Sequence, residues 1–229
     1  EIGGSVRCAK ETAPWLPRAQ NRRERNLDVR LARDGSATLR GRETVTGGQA
    51  PAYRSQYQSP GTRQERLERS LRNLFPGLSL QTQRFQGLGT LEGDVRYEYT
   101  AEAPQLAQRD GEQLRAPTSV LGDLTSSFAR TQTRRYPLDL GSPSSYIEER
   151  VIHVPNGMRA SQSPEGGEAE SPFGRLRVTV EATARQVQTR TELEIRRDRV
   201  TPEEYPAFRA WVQAADRILQ QRLILEGGR

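Results

Sequence analysis

The sequence predicts a mainly β chain with two helices, an α+β fold built on an antiparallel sandwich or a strongly curved sheet. Three observations carry this. Short segments of alternating apolar and polar residues recur along most of the chain, without regular alternation of strand and helix. Gly and Pro number 20 and 14 in 229 residues, so turns must be frequent. Only two stretches show apolar residues at helical spacing.

Residues 1–24 read as a lead-in arm or linker, with Pro14, Pro17 and a charged tail and no periodicity. A β-rich domain is then expected over 25–229. Leu27, Val29 and Leu31 alternate with polar residues, Asp34-Gly35 makes a turn, and Ala37 and Leu39 open a second strand reaching about Thr46. Alternation on both sides of an Asp-Gly pair is a hairpin signature. In 63–77, RQERLERSLRNLFPG, the residues Leu67, Leu71, Leu74 and Phe75 share a helical face, and Pro76-Gly77 ends it. The preceding APAYRSQYQ is helical or irregular. Strands are expected at 78–85, 94–103, 145–154, 174–186 and 187–198, giving eight to ten in all. The stretch 156–174 reads as a long acidic connection, or a return strand with a loop.

The closing stretch, Val200 to Leu225, predicts an amphipathic helix. Thr201 reads as the N-cap, with Glu204 at capping-box spacing, and Pro202 fits the first helical position. Tyr205, Phe208, Val212, Ala215 and Leu219 recur in steps of three and four. Tyr205, Phe208, Val212 and Leu219 should bury against the sheet, so that Phe208→Asp would unfold or misfold the chain by burying an unpaired charge; the alternative is a helix offered to a partner or a membrane surface, for which that change would leave the melting temperature in place.

Function classes narrow next. The net charge is +6, from 35 basic and 29 acidic residues, and Lys10 is the single lysine. Most arginines are interspersed with acids, as in RQERLERSLRN and TRTELEIRRDR. That pattern usually marks a solvated face, although the basic balance keeps an arginine-driven polyanion or nucleic-acid binder as an alternative. A single cysteine, Cys8, permits neither an internal disulfide nor a multi-cysteine zinc site. His153 is the only histidine, on a strand where Ile152 and Val154 take one side and Val151 and His153 the other. A nucleophile needs a rigid support and an orienting third group, which a Cys8–His153 pair would lack. Gly87-x-Gly89 has no third glycine, and no serine stands in a GxSxG elbow. Glu148-Glu149 points to opposite faces of a strand, and Glu203-Glu204 belongs to the helix start. No catalytic, cofactor-binding or metal-binding residue is therefore assigned, and no cofactor is expected. An enzyme with a carboxylate site assembled only in space remains a further alternative.

The order of segments resembles the C-terminal β-rich domain of bacterial DUF3857/transglutaminase-like proteins, whose papain-like core precedes it. The segments that carry the resemblance are APWLPRAQNR (13–22), NLDVRLARDGSATLRGRETVTGG (26–48), RQERLERSLRNLFPG (63–77), YPLDLGSP (136–143), VIHVPNGMRASQSPE (151–165), ESPFGRL (170–176) and RVTPEEYPAFRAWVQAADRILQQRLIL (199–225). They are patterned apolar positions and turn residues, not catalytic groups. The resemblance implies that the family's catalytic Cys, His and Asp lie in the core, before residue 1, and that Cys8 is not the nucleophile. It further implies a non-catalytic interaction domain that binds a protein partner or the adjacent core, in a periplasmic or cell-envelope protein. No apolar run is long enough for a transmembrane helix.

Overall fold

The computed structural model describes residues 20–227; Cys8 and most of the expected lead-in lie outside them. The β-rich class holds, with a large mixed sheet at its centre. The first hairpin forms as expected, β1 (Arg22–Leu31) pairing antiparallel with β2 (Ala37–Val45). Gly35 takes φ 89° in the turn, a conformation that costs a glycine little. Asp34 Oδ1 accepts the Ser36 amide at 2.9 Å and closes the turn. β1 begins at Arg22, so the charged end of the expected lead-in is strand.

Two helices, not one, follow the hairpin: α1 (Ala50–Tyr57) and α2 (Pro60–Arg72). Leu67 and Leu71 are buried as the helical spacing requires, and Phe75 caps the same core beyond the helix end. The chain returns through β3 (Ser79–Gln86) and β4 (Val95–Ala103). Between them and the next long strand lie β5 (Gln108–Asp110), β6 (Gln113–Pro117), the short α3 (Leu124–Phe128) and β7 (Leu138–Asp139). Then come β8 (Ser144–His153), β9 (Met158–Gln162), β10 (Gly167–Ser171), β11 (Gly174–Ala182), β12 (Gln186–Ile195) and β13 (Arg199–Val200). The stretch 156–174, expected as a loop or return strand, thus holds two strands.

The eight-stranded sheet runs β10-β11-β12-β8-β1-β2-β4-β3. It corrects the antiparallel expectation at one seam, where β1 and β8 lie parallel. β1 is already paired with β2 on one side, and β8 arrives after a long excursion rather than a tight turn, so either direction is open to it.

The largest correction concerns the closing stretch. Its helix, α4, spans Tyr205–Leu219, and residues 222–227 form β14 (Arg222–Gly227). β14 sits inside a second sheet ordered β5-β6-β14-β9. The regular helix starts at Tyr205 with Glu204 as its N-cap, not at Pro202 after Thr201, because residues 202–204 form a turn; the capping-box hydrogen bonds close that turn. The Thr201 amide donates to Glu204 Oε2 at 3.1 Å, and the Glu204 amide donates to Thr201 Oγ1 at 3.3 Å. Tyr205, Phe208, Val212, Ala215 and Leu219 are all buried, as their spacing predicts.

Two apolar cores result. One gathers Leu27, Val29, Leu39 and Ile152 of the large sheet, Leu67 and Leu71 of α2, and Leu114, Leu223 and Leu225 of the small sheet. The other gathers Leu176, Val178 and Leu193 beneath Phe208, Trp211 and Val212 of α4. The two helix pairs and the small sheet therefore cover one face of the large sheet, here called the inner face.

Candidate functional site: a buried charged band and a cavity beside it

The inner face follows from strand parity. Leu27, Val29 and Leu31 point inward, and the same phase carried back along β1 brings Arg25 and Arg23 inward. On β2 the phase of Leu39 and Ala37 leads to Gly41, Glu43 and Val45. Register then places Thr191, Glu148, Arg25, Glu43, Tyr97 and Phe85 in one row across the sheet. The next row contains Thr189, Arg150, Leu27, Gly41 and Tyr99. Gly41 is required there, because a Cβ would stand 2.1 Å from Tyr99 Cζ.

Four charged residues of this band, Arg25, Glu43, Glu148 and Arg150, are buried. Arg23 Nε donates to Glu43 Oε1 at 2.6 Å, and Arg25 Nε to Glu43 Oε2 at 2.7 Å. Both oxygens of Glu43 are thereby occupied. Burial alone would raise the Glu43 carboxyl, but Arg25 and Arg23 outweigh it and hold it below the usual carboxylate range. Burial works against the charge of Arg25 as well, and the Glu43 carboxylate reverses that, raising it well above the ordinary arginine value.

Glu148 performs a different task. It accepts the Tyr146 hydroxyl at 2.7 Å and the Val120 amide at 3.1 Å, and stands 3.0 Å from Arg150 Nη2. Arg150 Nη1 donates to the Pro117 carbonyl at 2.7 Å, and Thr189 Oγ1 to the Thr118 carbonyl at 2.8 Å. This part of the band fastens the segment leaving β6 across the sheet, between the two cores.

A ring of aromatic groups surrounds the charges. The Arg23 guanidinium carbon lies 5.5 Å from the Tyr53 ring and 5.7 Å from the Tyr146 ring, within cation–π range. Burial pushes Tyr53 and Tyr99 up to about 12, and Tyr97 and Tyr146 well above the ordinary tyrosine value. These hydroxyls stay protonated near neutral pH. A cavity of about 300 Å³ opens beside Arg23, Arg25 and Tyr146.

The outer face is different in kind. Its side chains form short ladders of opposite charge: Arg42 Nε lies 2.8 Å from Glu98, Arg175 Nε lies 2.8 Å from Glu168, and Arg190 pairs with Glu149. A shallow depression of about 530 Å³ crosses it, lined by Asp28, Arg40, Arg42, Arg84, Glu98 and Glu149, among others.

The residues weighed for chemistry fall apart in space. Glu148 is inside and Glu149 outside, as parity predicts. His153 sits on the outer face, half-exposed, with Nε2 2.7 Å from Asp28 Oδ2. Glu204 caps α4, and its carboxyl is lowered by the Thr201 amide and Arg197. Among the described residues, no group of three or more His, Cys, Asp or Glu side chains is placed to hold a metal. A dense charged run such as NRRER (21–25) has the composition of a solvated face, and only the period-two phase of Leu27 and Val29, carried backwards, marks Arg25 and Arg23 as inward.

No described helix is long and apolar enough to cross a membrane. No curated protein matches the chain. Among solved structures, one described as a "putative protease" from Parabacteroides distasonis ATCC 8503 is similar over 52% of this chain, at 18% identity and a TM-score of 0.43. The match takes in 24% of that protein, so this chain covers about a quarter of the matched structure's length. From the end of β6 to the middle of β14, residues 117–225 match the family described as "Domain of Unknown Function with solved-structure structure (DUF3858)".

Proposed function

We propose that the chain is a non-catalytic accessory domain of a transglutaminase-like cell-envelope protein, and that it docks on a protein, the adjacent catalytic core first of all. One observation carries this reading. All the helices and the small sheet lie on the inner face, while the outer face of eight strands is left uncovered among the described residues and carries both signs of charge. A broad surface of this kind suits recognition by complementary charge, which favours register and specificity over raw affinity. The carboxylates that could serve a hidden active site speak for the same reading: Glu43 and Glu148 are fully buried and occupied by partners. The arginines also weigh against a polyanion surface, since Arg42, Arg175 and Arg190 each stand beside an acid.

The test is capture from a cell-envelope extract, using the chain and a variant with Arg42→Glu and Arg84→Glu on the outer face. The expected result is a transglutaminase-like protein retained by the unmodified chain and lost by the variant. Recovery of nucleic acid or acidic polymer alone, released by salt, would replace this reading with the arginine-driven one.

A further inference from the structure

The cavity beside the charged band differs from the outer depression in one respect. Among the described residues, its lining contains two arginines, Arg23 and Arg25, and no carboxylate. The rest of its wall is largely apolar, from Leu74, Val120, Leu121, Leu124, Phe128 and Ile195. The band behind it is unbalanced as well. Among the described residues, Arg23, Arg25 and Arg150 pair with Glu43 and Glu148, two acids for three bases. The surrounding tyrosines cannot offset it, because burial keeps them protonated. Arg23 is where the excess can be met. Its Nε is committed to Glu43, yet its side chain is still 28% exposed, and two tyrosine rings hold the guanidinium in place.

The four fully buried charges balance, so the excess falls on Arg23, a half-buried cation beside an apolar wall; a partly desolvated guanidinium gains from a second anion and matches a carboxylate through two parallel hydrogen bonds. Apolar walls with a few placed polar groups are the usual form of a small-molecule site. We infer that this cavity binds a small organic monocarboxylate, its carboxylate on Arg23 and its apolar body against Leu121, Leu124 and Phe128. Inorganic anions fit less well, because they would leave the apolar wall uncovered. This site is on the inner face and independent of any partner docked outside.

The experiment measures binding of benzoate to the 229-residue chain by titration calorimetry, with benzamide as the uncharged control. Benzoate should bind saturably, and benzamide about tenfold to a hundredfold more weakly, the cost of one charge-assisted contact. Arg23→Gln should weaken benzoate by a similar factor. Because that change also disturbs Glu43, a second variant is needed. Ser127 is exposed at the cavity's edge, so Ser127→Trp should block entry while leaving the melting temperature in place. The inference is overturned if benzoate shows no saturable binding, if benzamide binds equally well, or if benzoate binds unchanged to both variants.

Discussion

Arg42 and Glu43 are neighbours on β2, and each is paired with an opposite charge across the sheet, yet they live in different physical worlds. Arg42 meets Glu98 on the outer face, where both side chains are more than half exposed. Glu43 meets Arg25 and Arg23 on the inner face, where it has no exposure at all. The outer pair is screened by water and salt, and its two long side chains lose entropy in holding one geometry. On the inner face Glu43 and Arg25 have surrendered their hydration, so each charge depends on the other and on Arg23 beside them. The same residue chemistry is therefore incidental on one side of a strand and obligatory on the other.

The strongest way to break the inner arrangement is Glu43→Leu, which leaves two guanidinium groups without their shared acceptor. Urea unfolding should show a loss of about 3–5 kcal/mol. The pH dependence has a definite sign. The Glu43 carboxyl is held below its ordinary value of 4.5, so its contribution is complete above that value and is lost as the pH falls through the depressed one. The difference between the unmodified chain and Glu43→Leu should shrink below about pH 4.5.

Another buried carboxylate sharpens the comparison, because its described partners are amides rather than cations. Asp216 of α4 accepts the Leu124 amide at 2.8 Å and the Thr125 amide at 2.9 Å, holding α3 against the helix. Asp216→Ala should cost about 1–3 kcal/mol, the penalty of buried donors left without acceptors. Hydrogen exchange should rise first at Leu124 and Thr125. Next comes the exposed capping box: Thr201→Ala should lower stability by about 1 kcal/mol. Smallest is Arg42→Ala on the outer face, whose denaturation midpoint should be indistinguishable from the unmodified chain. A large effect there would mean that the outer ladder supports the fold after all.

Where the sequence was readable, local chemistry and tertiary structure agreed. Asp34-Gly35 between alternating runs gave the first hairpin, and the spacing from Tyr205 to Leu219 gave α4 with its buried face. β14 was hidden because local pattern and tertiary demand disagreed. Leu219 and Leu223 keep helical spacing, and no glycine or proline stands between them to mark a stop. The helix ends because Gln221 is held elsewhere, its side chain accepting the Glu165 and Gly166 amides and donating to the Gly166 carbonyl. Beyond it, the open edges of β6 and β9 claim the backbone. The parallel seam was beyond reach for another reason: nothing in residues 22–31 specifies which distant strand lies beside them. The charged band was half legible. Parity points Arg25, Glu43 and Glu148 inward, but charge type argues against burial, and only the pairing across three strands resolves the conflict.

The position of β14 has a consequence for how the chain is made. It joins β6 to β9, so the small sheet has no middle until residues 222–227 are available, and Leu223 and Leu225 belong to the core built mostly from the first half of the chain. During synthesis from the N-terminus, that first half must wait with part of its apolar surface open to water. Pairings between such distant segments are slow to form, and exposed apolar surface in the interval invites aggregation. On the ribosome, the fold closes from its last strand backwards, so a chain stopped after α4 would have nearly all its parts and still lack the piece that lets them shut.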